Sequence, residues 1–181
     1  TSAIKIIETA IPGEPLVHHL KKFFAADKKY GSKDRKAIAS LCYNYYRIGK
    51  ALPEKSTEEK IIAAAFLCNR EESEFLAAIA PELNGKALWQ AEKKIDLLKI
   101  SPSDIFPFAD ELSEEIDQKL FTFSFLIQPL LFIRIRPGKA VKLLERLSEN
   151  KTGFEEITGS CISLPPATKL DDVIKINKEA V

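Results

Sequence analysis

Methionine is absent from the 181 residues, and glycine is scarce at seven. No two glycines stand one residue apart, so there is no GxG turn to wrap a backbone around a dinucleotide or a phosphate. Cysteine is limited to Cys42, Cys68 and Cys161, an odd and widely spaced set without a CxxC pair. A zinc knuckle and a disulfide framework are both excluded by that spacing. Free thiols instead point to a reducing compartment. The two histidines, His18 and His19, are adjacent and leave a helix in different directions, which suits neither a metal pair nor a general base. Long apolar runs are lacking too. The longest, Phe121 to Ile133, is too short for a bilayer and is broken by Gln128 and Pro129. No apolar stretch with a cleavage site opens the chain. A cytoplasmic monomer without a membrane partner is expected, and the missing Met implies a processed or trimmed chain.

What is present is a core-forming composition, 45% hydrophobic and 29% charged, enough for one ordinary domain and a small second one. The net charge is only +1, but it is unevenly spread. Residues 21–50 hold nine Lys and Arg against two acids, a net +7; the remaining 18 basic and 24 acidic residues leave −6. Such asymmetry points to an anionic partner for one surface, set against the plainer reading of a solvated Lys-rich face.

From residue 15 to 100 the apolar spacing is helical. Pro15 opens a first helix through Leu16, Leu20, Phe23 and Phe24. A second starts near Ser32–Asp34 and buries Ile38, Leu41, Cys42 and Tyr45. A third begins at the capping box Ser56/Glu59 and is apolar nearly all round, which predicts a central buried helix. Phe75–Ile79 suggests a short fourth, and a fifth carries Leu88, Ala91, Ile95 and Leu98 on one face. After Ser101-Pro102 and Phe106-Pro107 another helix spans about 113–126. The period then changes: 131–136 alternates as a strand ended by Pro137-Gly138. An amphipathic helix with Val141, Leu144 and Leu147 comes next, then strands at 154–158 and 161–164. The expected fold is mainly α, an antiparallel helical bundle over 1–125 followed by a small, partial α/β domain over 126–181. The sheet of that domain would have an open edge, so its last residues should be loosely ordered or paired with another molecule.

The second helix carries the clearest chemistry. At 3.6 residues per turn, Lys36, Ser40, Tyr43, Arg47 and Lys50 share a face opposite the Ile38–Tyr45 stripe. Cations neutralise phosphates, and a tyrosine ring stacks on an unpaired base. Lys28, Lys29 and Lys33 extend the patch, while Tyr45 and Tyr46 read as core or rim packing. Arg35, beside Asp34, reads as an internal ion-pair partner. On the strand, Phe132, Arg134 and Arg136 fall on one face and Leu131, Ile133 and Ile135 on the other. That first face is either a platform for single-stranded RNA or, alternatively, a buried Phe132 with arginines paired to acids of a neighbouring domain. Cys161 reads as a packed small hydrophobe, and Glu114-Glu115 and Asp171-Asp172 as solvated charges. No catalytic group and no metal-ligand set is apparent.

With those residues in view, "FFAADKKYGSKDRKAIASLCYNYYRIGK" (23–50) resembles the N-terminal NusB-type helical domain of Sun/NOP rRNA cytosine-C5 methyltransferases. "IFPFADELSEEID" (105–117) resembles the Phe-Pro segment of that family. "QPLLFIRIRPGK" (128–139) resembles its strand opening a small RRM-like domain, with Arg136 standing where the family often has Asn. The resemblance implies that the chain is the RNA-recognition region of an S-adenosylmethionine-dependent enzyme acting on ribosomal RNA. Its RNA contacts would be Lys28, Lys29, Lys33, Lys36, Tyr43, Arg47, Lys50, Arg134 and Arg136. The cysteine-thiolate attack on cytosine C6, the methyl transfer and the S-adenosylmethionine site would belong to a catalytic domain outside this chain, since the family's Pro-Cys and Thr-Cys motifs do not occur here. Two other readings remain: a free-standing NusB-like factor in transcription or ribosome assembly, and a bundle whose basic face meets an acidic protein.

Overall fold

Ten α-helices and three strands succeed one another in a computed structural model that describes residues 1–166, 168–170, 173–175 and 177–181. Asp171 and Asp172 lie outside the described residues. The chain is mainly α with one small antiparallel sheet, and divides into two compact units, Thr1–Ile127 and Gln128–Val181.

The first unit opens with α1 (Ser2–Glu8), a helix ahead of the one expected from Pro15. Its Ala3, Ile6 and Ile7 have helical spacing and are buried. After α2 (Leu16–Ala26) and α3 (Ser32–Arg47) comes α4 (Thr57–Cys68), the helix expected to be central. Each side of α4 meets a different part of the core. Ile61 packs with α1, α2 and Cys42; Ala64 and Leu67 pack with Ile48, Ile95 and Phe123; Ala65 and Phe66 pack with Leu76. Its start is fixed as the capping box predicts: the Ser56 N–H donates to Glu59 Oε2 at 2.9 Å and the Glu59 N–H to Ser56 Oγ at 3.3 Å.

Beyond α4 two of the expected helices are shorter than their apolar periods suggested. The short fourth helix expected at Phe75–Ile79 is α5 (Glu74–Ile79); an unexpected α6 (Pro81–Asn84) follows, separated from it because the residue before Pro81 leaves the helical region (Ala80, φ −142°, ψ 66°). The fifth, α7 (Ala91–Leu98), omits Leu88, which is 77% exposed. After α8 (Pro102–Ile105), the helix expected from 113 begins only with α9 (Gln118–Ser124). Asp117 sets that start, its Oδ1 accepting from the Leu120 N–H at 2.9 Å.

The second unit runs β1 (Leu131–Arg134), α10 (Ala140–Glu149), β2 (Glu155–Thr158) and β3 (Cys161–Leu164), with sheet order β1-β3-β2. Leu143 and Leu147 of α10 pack on Ile133, Ile135, Ile162 and Leu164, each such side chain contributing about 2 kcal/mol by burial. Val141, expected on that face, is exposed. The expected open edge is closed by the chain itself. The Arg134 N–H donates to Val181 O and the Val181 N–H to Arg134 O, at 2.6 and 2.9 Å, while the Arg136 N–H donates to Glu179 O at 2.9 Å. Arg146 holds the Glu179 carboxylate at 2.6 Å, and its guanidinium keeps that carboxyl below the usual range. Residues 179–181 thus pair with the β1 edge rather than remaining loose, because burying Ala180 and satisfying these backbone groups outweighs the freedom of a short tail.

Candidate nucleic-acid interface

The basic residues of 21–50 rest on the start of α3. There the Asp34 carboxylate accepts from the Gly31 N–H at 3.0 Å, a negative group placed where the helix presents free N–H donors. Arg35 stays exposed and bonds the α2–α3 turn instead of pairing with Asp34. Its Nε donates to Tyr30 O at 2.9 Å and its guanidinium lies 5.6 Å from the Phe24 ring centroid, stapling the α2–α3 turn.

Along α3, Lys36, Ser40 and Tyr43 point outward and are exposed, while Cys42 and Asn44 are buried. Lys28 and Lys36 have no ion pair among the described residues. Lys29 contacts Asp27 at 2.6 Å and lies 5.0 Å from the Tyr30 ring centroid. That pairing raises the Lys29 ammonium pKa and lowers the Asp27 carboxyl, each chiefly through their shared hydrogen bond. Lys33 reaches Glu74 at 3.6 Å. Both pairs are exposed and salt-screened, so an incoming phosphate can displace their carboxylates.

Two expected members of the face are differently employed. Arg47 Nη1 donates to Ile127 O at 2.6 Å and reaches Phe125 O at 3.5 Å, so its charge closes the carbonyl end of the α9 turn. Lys50 is not on the helix at all. The chain reverses at Gly49 (φ +58°), and the Lys50 N–H donates to Asp104 O at 2.7 Å. Its side chain is exposed, but it does not continue the Lys36–Tyr43 row.

Tyr43 and Tyr46 both flank an open, mainly apolar groove of about 490 Å³, whose other wall holds Ile7, Ile11, Pro12 and Leu16. Burial raises the Tyr46 phenol, which meets the Tyr45 ring edge-on at 5.3 Å. His19 lies at the groove's end. Its Nε2–H donates to Ile6 O at 3.1 Å, tying α2 to α1, while His18 is exposed.

In the second unit Phe132 is not a core residue. Ile133 and Ile135 are buried under α10, whereas Phe132 is 56% exposed and Arg134 and Arg136 are exposed. Phe132 stands opposite Ser163, itself buried, and Arg134 opposite Cys161, so aromatic, hydroxyl, guanidinium and thiol share the sheet face away from α10. Glu155 of β2, opposite Ser163, adds an acid at its far side. No side-chain ion pair of Arg134 or Arg136 occurs among the described residues.

Burial pushes the Cys42 and Cys68 thiols up to about 12, so neither is a thiolate near neutrality. Among the described residues no group of three His, Cys, Asp or Glu converges to hold a metal ion, and no helix is long and apolar enough to cross a membrane. One cation was not legible as a site residue in the sequence. Lys94 is 2% exposed, inside the first unit's core. The signal that could have found it is its position three residues after Ala91 and four before Leu98, within the apolar stripe of α7.

Comparison with protein-family models found no match to the chain, and searches of curated proteins and of solved structures found none either.

Proposed function

We propose that this chain is the RNA-recognition region of an rRNA cytosine-C5 methyltransferase, presenting RNA to a catalytic domain outside the chain. The observation that carries the reading is the outward row Lys36, Ser40 and Tyr43 on α3, flanked by Lys28 and by exposed, displaceable pairs at Lys29 and Lys33. It combines phosphate-neutralising charge with a ring available for stacking. The second unit supports the same reading. Its order of parts, β-α-β-β with the closing segment beside β1, suits the RRM-like domain that the resemblance implies, and the sheet face away from α10 bears the exposed Phe132 and Arg134. In this reading the helical unit takes a NusB-like bundle's role of gripping structured RNA.

In this reading S-adenosylmethionine is held by the domain outside the chain. Among the described residues the one connection from a strand into a helix, 135–139 between β1 and α10, contains a single glycine and no glycine-rich loop. Methyl transfer is therefore assigned to the domain outside the chain, and the part played here is binding and orientation.

The test is RNA affinity across salt. Log K should fall against log[salt] by about 0.7–0.9 per phosphate neutralised. Lys28→Glu with Lys36→Glu should weaken binding by roughly tenfold or more and reduce that slope by about two. Unchanged affinity would reject the α3 face. Arg47 is unsuitable for this test, since it holds the end of α9. Competition by an acidic protein, but not by RNA, would favour the protein-binding reading.

A further inference from the structure

A cavity of about 210 Å³ in the first unit is lined by Cys68, Arg70, Trp89, Gln90, Ala91 and Lys94, among others, and by no acidic residue. Lys94 Nζ donates to Phe66 O at 2.9 Å and to Asn69 O at 2.6 Å, capping the carbonyl end of α4. Of the three donors of the ammonium, these two carbonyls take two, and Nζ also lies 5.0 Å from the Phe66 ring centroid. Buried charges are ordinarily paired, yet Lys94 has no carboxylate partner among the described residues. Arg70, exposed and without a hydrogen bond or ion pair among the described residues, bears on it with a second positive charge. Burial pushes the Lys94 ammonium below its ordinary value; the neighbouring Cys68 opposes that shift, and Arg70 adds to it more weakly.

The other walls favour the same kind of guest. Gln90 and Ala91 form the start of α7, where no side chain caps the free N–H groups. Trp89 is 41% exposed, with Lys86 Nζ 5.8 Å from its ring centroid. Glu92, on the first turn of α7, faces Lys119 at 3.9 Å and is not in the cavity wall. The volume lies below the roughly 300–1,000 Å³ of sites that enclose a drug-sized ligand, so it admits a group of phosphate size and leaves the remainder outside.

We infer that this cavity receives the phosphate of a nucleotide, held between Arg70 and Lys94, with the base lying on Trp89 at the mouth. The site is separate from the α3 row and stands whether or not that row binds RNA. A free mononucleotide and a nucleotide within an RNA strand offer it the same chemistry.

Trp89 is the sole tryptophan, so its fluorescence reads the site directly. The full chain is titrated with inorganic phosphate, cytidine 5′-monophosphate and a single-stranded oligoribonucleotide. Cytidine monophosphate should quench the emission saturably, with inorganic phosphate competing. Arg70→Glu should weaken binding at least about tenfold, equivalent to about 1.4 kcal/mol. Phosphorus NMR of added phosphate, broadened by the native chain but not by Arg70→Glu, gives a readout independent of the ring. Lys94 is left intact because it holds the end of α4. Quenching by the oligoribonucleotide alone, weakened by Arg70→Glu, assigns the phosphate to an RNA strand. The inference is overturned by no saturable response to any of the three up to about 10 mM. It is equally overturned by a response that ignores both phosphate and Arg70→Glu, which would leave only stacking on an exposed ring.

Discussion

Gly49 reverses the chain just beyond the end of α3, and replacing it with alanine tests the packing beneath the candidate interface. Two costs add. The residue sits at φ +58°, where an L side chain costs about 1–2 kcal/mol. A Cβ there would also come within 2.3 Å of Ile105 O and 3.0 Å of Asp104 O, both backbone atoms, so the end of α8 must shift. That shift breaks the 2.7 Å bond from the Lys50 N–H to Asp104 O, a further loss of about 1 kcal/mol. The expected destabilisation is about 2–3 kcal/mol. Gly13→Ala is the control: its φ of +86° carries the dihedral cost, but nothing lies within 4 Å of the added Cβ. The entropy lost by the unfolded chain is common to both variants and cancels in their difference. Urea unfolding followed through Trp89 reports the first unit. If the two variants lose equal stability, the close approach of α8 to Gly49 does not exist and the reasoning fails.

Two other outcomes are expected. Arg47→Ala should release the carbonyls of Phe125 and Ile127 and cost about 1 kcal/mol at this partly exposed site, seen as faster amide exchange in α9; unchanged exchange would return Arg47 to the RNA-contact set. The Glu59 carboxyl is held at about 2, first by the Ser56 backbone N–H, against an ordinary 4.5. Its folded value is depressed, so the stability it contributes is full above about pH 4.5 and is lost as pH falls towards 2. An NMR titration should find that low midpoint and see it rise in Ser56→Ala; a midpoint near 4.5 in the native chain would contradict the cap.

Local physics was legible in the sequence. The Ser56/Glu59 box marks the start of α4 because cap and helix lie within one turn. The alternation at 131–136 places Phe132, Arg134 and Arg136 opposite Ile133 and Ile135 because strand side chains have a period of two. The 3.6-residue period likewise put Lys36, Ser40 and Tyr43 outward. What failed involved partners distant in the chain. Arg47 looked free because its acceptors lie 78 and 80 residues away. The β1 edge looked open because the residues closing it come from 179–181. Val141 matched the apolar period yet stayed exposed, since only one stripe of α10 meets the sheet.

The sequence by itself determined that residues 21–50 concentrate positive charge, that helices precede a short β-α-β-β segment, and which side chains share a face. These depend on composition and on the periods of helix and strand. Only the tertiary structure decided which cations are free, which close a helix end, and that Lys94 lies buried beside Arg70 and Trp89. Charge is written residue by residue, but its availability depends on acceptors brought near by folding, and no local period encodes those.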